Sequence, residues 1–213
     1  MRRGATQSDA VAHLAFSLDL SKMIESGQIE VDAIAAMGEA LAGTGKPFVA
    51  TSGCGLIVDG ELLTEDRQRP DDEQLFRRPE HETKKLLVKG VKAMIVRIPQ
   101  VNGPQNRGFV PALINIARQK GYAAYIGEGN NRWPAAHRDD AARVYRLAIE
   151  KGQGGKIYHA VAEEGVRLRD ITGLIAEELG VPLRSITPAE AQGLRMKFCV
   201  GLARGSSAIQ PGA

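Results

Sequence analysis

Short apolar runs alternate along this chain with stretches of helical periodicity, and that alternation restricts the available folds more than any other feature. Ala10–Phe16 is a mostly apolar run bounded by polar residues, which suits a buried strand. From Ser21 to Ala42, apolar residues at Ile29, Ala33, Ala36, Met37, Ala40 and Leu41 recur at helical spacing, and Gly43 with Gly45 supplies a stop. Pro47–Thr51 reads as a second strand, the polar Asp/Pro-rich stretch to Asp72 as a surface loop, and Pro79–Lys89 as a helix closed by Gly90. Lys92–Ile98 is then a third core strand. Such β-α-β-α-β order implies a parallel sheet with right-handed crossovers and helices on both faces, so function is expected at the strands' carboxyl ends.

Beyond Pro99 the pattern continues with a helix from Phe109 to Gln119, a strand at Ala123–Ile126 and a Gly/Asn loop at Gly127–Asn131. A helix over Asp140–Lys151, a strand over Lys156–Ala162, and a helix with Leu168, Ile171, Ile175 and Leu179 on one face follow. The last twenty or so residues show no period and are expected to be a poorly structured tail.

Composition sets the class. With 213 residues, 43% apolar and 5% aromatic, the chain suits a globular domain with an aliphatic core. Its net charge of +3 comes from interspersed signs, which gives no footprint for nucleic acid. Cys54 and Cys199 match no metal-ligand spacing, so two reduced thiols and no metal are expected. The apolar stretch after the basic start is too short for a signal or a membrane span, so a cytoplasmic protein is expected.

Thr51-Ser52-Gly53-Cys54-Gly55 ends a core strand where open α/β sheets bind ligands, which makes Ser52 the first candidate for chemistry; the competing reading is a tight turn built from small residues. A hydrolase elbow fits less well, because Ala50 stands where its first glycine belongs. His13 lies inside a strand run and reads as a core histidine, and His81 as a solvated one. His137 precedes a helix that Asp139 or Asp140 is expected to cap, with Trp133 anchoring the loop before it. No glycine fingerprint for a dinucleotide occurs: Gly127-Glu128-Gly129 runs into Asn130, and Gly53/Gly55 has Val58 where a third glycine should fall.

His13-Leu14-Ala15-Phe16, Thr51-Ser52-Gly53, Arg97 through Pro104 and Trp133 through Asp140 occur in the order and spacing of a known group. Over about residues 9–190 the sequence resembles the extended short-chain dehydrogenase/reductases, and more narrowly their atypical NAD-dependent epimerase/dehydratase members. The resemblance implies a partial Rossmann-type parallel sheet over residues 1–105, a small C-terminal α/β substrate lobe over 106–190, and a tail over 191–213. It implies NAD or NADP as cofactor, with Leu14, Ala15, Phe16, Thr51, Pro99 and Val101 against it. Ser52 matches the family's active-site serine, and Gly53, Asn131 and Arg132 fall where substrate is touched. Aligning Glu82 with the family's glutamate puts Gln74 at the tyrosine position and Arg78 at the lysine position. Glutamine has no titratable proton, whereas arginine keeps a permanent charge that binds hydroxyls or anions.

The implied activity is NAD(P)-dependent oxidation, reduction or epimerisation at a carbonyl/alcohol group of a small molecule. The alternative is a non-catalytic remnant or binding module. The family's glycine-rich first portion is expected to be missing, which would weaken cofactor binding and expose an aliphatic sheet edge. The helices at 21–42 and 79–89 match those that pair in the family's homodimers.

Overall fold

A computed structural model describes residues 1–17, 22–54, 63–68, 77–105 and 108–194. In chain order its elements are α1 (Arg2–Gln7), β1 (Val11–His13), α2 (Met23–Leu41), β2 (Pro47–Gly53), α3 (Pro79–Leu87), β3 (Lys92–Ile98), β4 (Gln100–Asn102) and α4 (Phe109–Lys120). There follow β5 (Ala123–Ile126), β6 (Arg132–His137), α5 (Arg138–Lys151), β7 (Ile157–His159), β8 (Glu163–Arg167), α6 (Leu168–Leu179), β9 (Leu183–Ile186) and α7 (Pro188–Gly193). They form two compact units, one of residues 1–53, 65–98 and 142–160, the other of residues 54–64, 99–141 and 161–213.

The first unit is built on a parallel sheet in the order β1-β2-β3-β7. Side chains alternate across β2. Phe48 and Ala50 face a core that includes Ala33, Ile34, Met37 and Leu41 of α2 and Leu86 of α3, while Thr51 on the opposite face meets Tyr145 of α5. Helices therefore cover both faces, as the strand-helix alternation requires. β3 runs Lys92–Ile98 as expected, β2 extends two residues past Thr51, and β1 is shorter than the apolar run that announced it, ending at His13. Gly43 and Gly45 adopt positive φ just after α2, which only glycine does without cost.

The second unit holds a three-stranded sheet β4-β6-β8 and a parallel pair β5-β9. Its main core gathers Leu113 and Ala117 of α4, Ala123, Ala124 and Ile126 of β5, Trp133 of β6, and Leu168, Ile175 and Ala176 of α6. One expectation is corrected here. Trp133 does not anchor a loop: it is buried within β6, which pairs parallel to β4 and antiparallel to β8. At the start of α5 the His137 ring accepts from the Asp139 amide through Nδ1 at 3.3 Å. After Pro182, where the sequence pattern announced no element, β9 pairs with β5, and Thr187 and Glu190 close a capping box on α7. Most of the expected surface loop before Asp72, and the chain beyond Leu194, lie outside the described residues.

α2 and α3 approach closely at Gly38, where an added Cβ would come 2.1 Å from Leu86 Cδ2. Leu86 is 2% exposed and has little room to retreat. Gly38→Ala is expected to destabilise the protein by about 1–3 kcal/mol despite alanine's better helix propensity, as urea unfolding followed by circular dichroism would show.

Candidate active site

The carboxyl ends of β1 and β2 converge on one cluster of polar residues in the first unit. Beyond β1, Leu14 and Ala15 are exposed and Phe16 is half-buried. The Arg77 guanidinium stacks over the Phe16 ring at 4.2 Å from its centroid. Arg77 Nε donates to both oxygens of Glu30, at 3.2 and 3.0 Å, while Nη2 donates to Glu30 Oε1 at 2.8 Å and to the Thr51 carbonyl at 3.1 Å. α2 supplies Glu30 and buries it to 3% exposure, so the pairing with Arg77 is what makes a charge tolerable there.

Thr51 ties the two strand ends together. Its hydroxyl donates to the His13 carbonyl at 2.8 Å, which leaves the Tyr145 hydroxyl, 2.6 Å away, to act as the donor to Thr51. Burial pushes the Tyr145 phenol up to about 12, partly offset by its bond to Thr51 and by the Arg77 charge. With its proton committed to Thr51, the phenol braces the two strand ends.

On the opposite face of the sheet, Ser52, Arg97 and His159 stand in register across β2, β3 and β7. Arg97 is fully buried and is held by Glu80 of α3 through Nε at 2.9 Å and Nη2 at 2.8 Å, by the Arg67 carbonyl at 2.8 Å, and by contact with His159 Nε2 at 3.4 Å. This pairing fixes the amino end of α3 over the strand ends. Ser52 is also fully buried, and among the described residues its Oγ has no hydrogen-bond partner. A buried hydroxyl with its hydrogen-bonding capacity unspent is uncommon and marks a place where a ligand or water atom is expected.

The structure brings Ser52, Thr51, Gly53 and the Leu14–Phe16 segment to the carboxyl edge of one sheet. Arg78 is the residue preceding α3, half-buried, and its carbonyl accepts from the Glu82 amide. Gln74 lies outside the described residues. Glu82 bonds to Lys85, while Glu80 takes the deeply buried partnership with Arg97. Pro99, Val101, Asn131 and Arg132 belong to the second unit: Pro99 and Asn131 are buried, Val101 pairs in β4, and Arg132 donates to the Gly165 carbonyl at 2.9 Å. Sequence reasoning missed Arg77, Glu30, Tyr145 and the Arg97–Glu80 pair. For Tyr145 a signal existed, since Ala141, Tyr145 and Ala148 recur at helical spacing as a buried stripe. For Glu30 and Arg77, 47 residues apart, none did.

Residues 84–161 match the model of the NAD dependent epimerase/dehydratase family. Over those residues the chain is similar to that family. Two relatives, both called uncharacterized proteins, come from Schizosaccharomyces pombe, 42% identical over 193 residues, and Saccharomyces cerevisiae, 39% identical over 194 residues; each alignment covers 90% of this chain and 65% of the relative. The chain thus spans about two-thirds of the length of the curated relatives it matches. Among solved structures, dTDP-glucose 4,6-dehydratase DesIV from Streptomyces venezuelae, with NAD and TYD bound, superposes with a TM-score of 0.71 at 17% identity, covering 100% of this chain and 68% of that one. The human epimerase family protein SDR39U1 with NADPH gives a TM-score of 0.71 at 16% identity, covering 99% and 78%. These likenesses establish the Rossmann-like fold. Among the described residues no helix is long and apolar enough to cross a membrane.

Two outcomes test the cluster. Tyr145→Phe removes one hydrogen bond and is expected to cost about 1 kcal/mol, whereas Thr51→Val strands the buried phenol and should cost about 1–3 kcal/mol, both read from urea unfolding. Burial, helped by the Arg77 charge and opposed by Glu30, holds the His13 imidazole below its ordinary value. The unfolded chain therefore binds the proton more readily, so stability is fully present above about pH 6.5 and declines as pH falls towards the native value. A His13→Gln variant should lose that part of the pH dependence in unfolding titrations.

Proposed function

We propose that this chain is the catalytic-edge portion of an NAD(P)-dependent oxidoreductase or epimerase that acts on a carbonyl/alcohol pair of a small molecule. The observation that carries the proposal is the carboxyl edge of the β1–β2 pair, which presents an apolar surface at Leu14–Phe16 beside unspent donors on Ser52 Oγ and Arg77. Ligands bind open parallel sheets at such edges. The family match over residues 84–161, and the NAD and NADPH carried by the two solved neighbours, support the same choice of cofactor.

The residues present fit the nicotinamide riboside end of a dinucleotide. Leu14, Ala15 and Phe16 offer apolar carbon to a planar ring, and Thr51 fixes the segment that carries them through its bond to the His13 carbonyl. The cofactor supplies a hydride donor or acceptor. Ser52 donates its unused hydroxyl to the substrate oxygen, with Gly53 next to it at the end of β2, and Arg78 provides a permanent positive charge where the family has lysine. Nucleotide sugars are one substrate class to screen, since the solved neighbours include a dTDP-glucose dehydratase.

Titration of the 213-residue chain with NADH and with NADPH, following Trp133 emission and energy transfer to the nicotinamide, tests the reading. Saturable binding with Kd on the order of micromolar is expected from one of them. With carbonyl substrates then supplied, Ser52→Ala should lower kcat by about 10²-fold or more while leaving cofactor affinity within a factor of about two. Absence of saturable binding by either nucleotide would overturn the proposal in favour of a non-catalytic binding module.

A further inference from the structure

Arg77 is held on three sides. Its face lies on Phe16, its Nε and Nη2 edge is taken by Glu30, and Nη2 also bonds the Thr51 carbonyl. Among the described residues neither N–H of Nη1 has a partner, and 12% of the side chain remains exposed. A guanidinium so restrained has lost its rotamer freedom before any ligand arrives, which removes most of the ordering cost of binding.

The charge balance selects the ligand. Glu30 is 2% exposed at its side chain and cancels the Arg77 charge at hydrogen-bond distance. An anion arriving at Nη1 would bring a second negative charge close to a buried carboxylate that already neutralises the guanidinium. A neutral oxygen acceptor carries no such penalty and still accepts from one of the two free donors.

We infer that the Nη1 edge of Arg77 binds a neutral oxygen, a carbonyl or hydroxyl, and that Glu30 positions it for that task; this rests on the carboxyl edge of the sheet being the ligand edge, as in the function proposed above. The oxygen belongs either to a sugar hydroxyl of the dinucleotide or to the substrate carbonyl. Glu30 acts through Arg77 and sets its selectivity for neutral over anionic acceptors.

The full chain and its Arg77→Met and Glu30→Gln variants, each checked for native circular dichroism, are titrated with NADH and with inorganic phosphate. In parallel, the Arg77 side-chain ¹⁵N resonances of the unmutated chain are followed as hydroxyacetone or inorganic phosphate is added, which needs no variant to fold. If the oxygen is a ribose hydroxyl, Arg77→Met weakens NADH by about tenfold, the loss of one charge-assisted hydrogen bond. If it belongs to substrate, NADH affinity is unchanged and hydroxyacetone shifts the Arg77 resonances. In either case phosphate leaves the unmutated chain unaffected and begins to bind once Glu30→Gln uncovers the charge, a gain that loss of a merely structural contact would not produce. A response of Arg77 to phosphate in the unmutated chain, or to neither NADH nor hydroxyacetone, overturns the inference. Failure of NADH to bind the unmutated chain while hydroxyacetone still shifts Arg77 overturns the proposed cofactor and leaves the Arg77 assignment standing.

Discussion

The parallel pairing of β2 with β3, unbroken from Pro47↔Lys92 to Gly53↔Ile98, sets the geometry on which everything else in the first unit depends. Because side chains alternate across a strand, this one register assigns Phe48, Ala50 and Ser52 to the face covered by α2 and α3, and Thr51 to the face covered by α5. A slip of a single residue would exchange the two sets. Ser52 would lose its place beside Arg97, and Thr51 would lose both Tyr145 and the His13 carbonyl.

Around that register the polar groups fall into two assemblies with different work. Arg97 and Glu80 are a fully desolvated pair, and such pairs contribute little net stability but enforce one arrangement, because leaving either charge alone is costly. Here the arrangement enforced is the amino end of α3 against the carboxyl end of β3. Arg77 and Glu30 form the second assembly, nearer solvent, and orient a guanidinium whose Nη1 donors are unspent among the described residues. The division separates a group that is fully desolvated from one that keeps some contact with solvent.

Much of the first unit could be read from sequence. Lys92–Ile98 announced itself as a strand because a central parallel strand buried on both faces must be nearly all apolar, and α2 because its buried residues repeat at helical spacing. The second unit was less legible for equally physical reasons. β6 contains Pro134 and follows a glycine-rich stretch, β8 is mostly polar because it is barely buried, and β9 has four residues with one of them buried. Strands of that kind are defined by their partners rather than by their own composition.

The sequence by itself determined the parallel α/β architecture, the placement of Thr51-Ser52-Gly53 at a strand's carboxyl end, and the family resemblance, since each rests on periodicity or on residues close together along the chain. Only the tertiary structure decided that Glu30 clamps Arg77, that Tyr145 completes the Thr51 brace, and that Glu80 rather than Glu82 neutralises Arg97. Those choices depend on which side chains meet once strands and helices far apart in sequence are packed. Two glutamates on one helix look alike until packing sets one of them against a desolvated arginine.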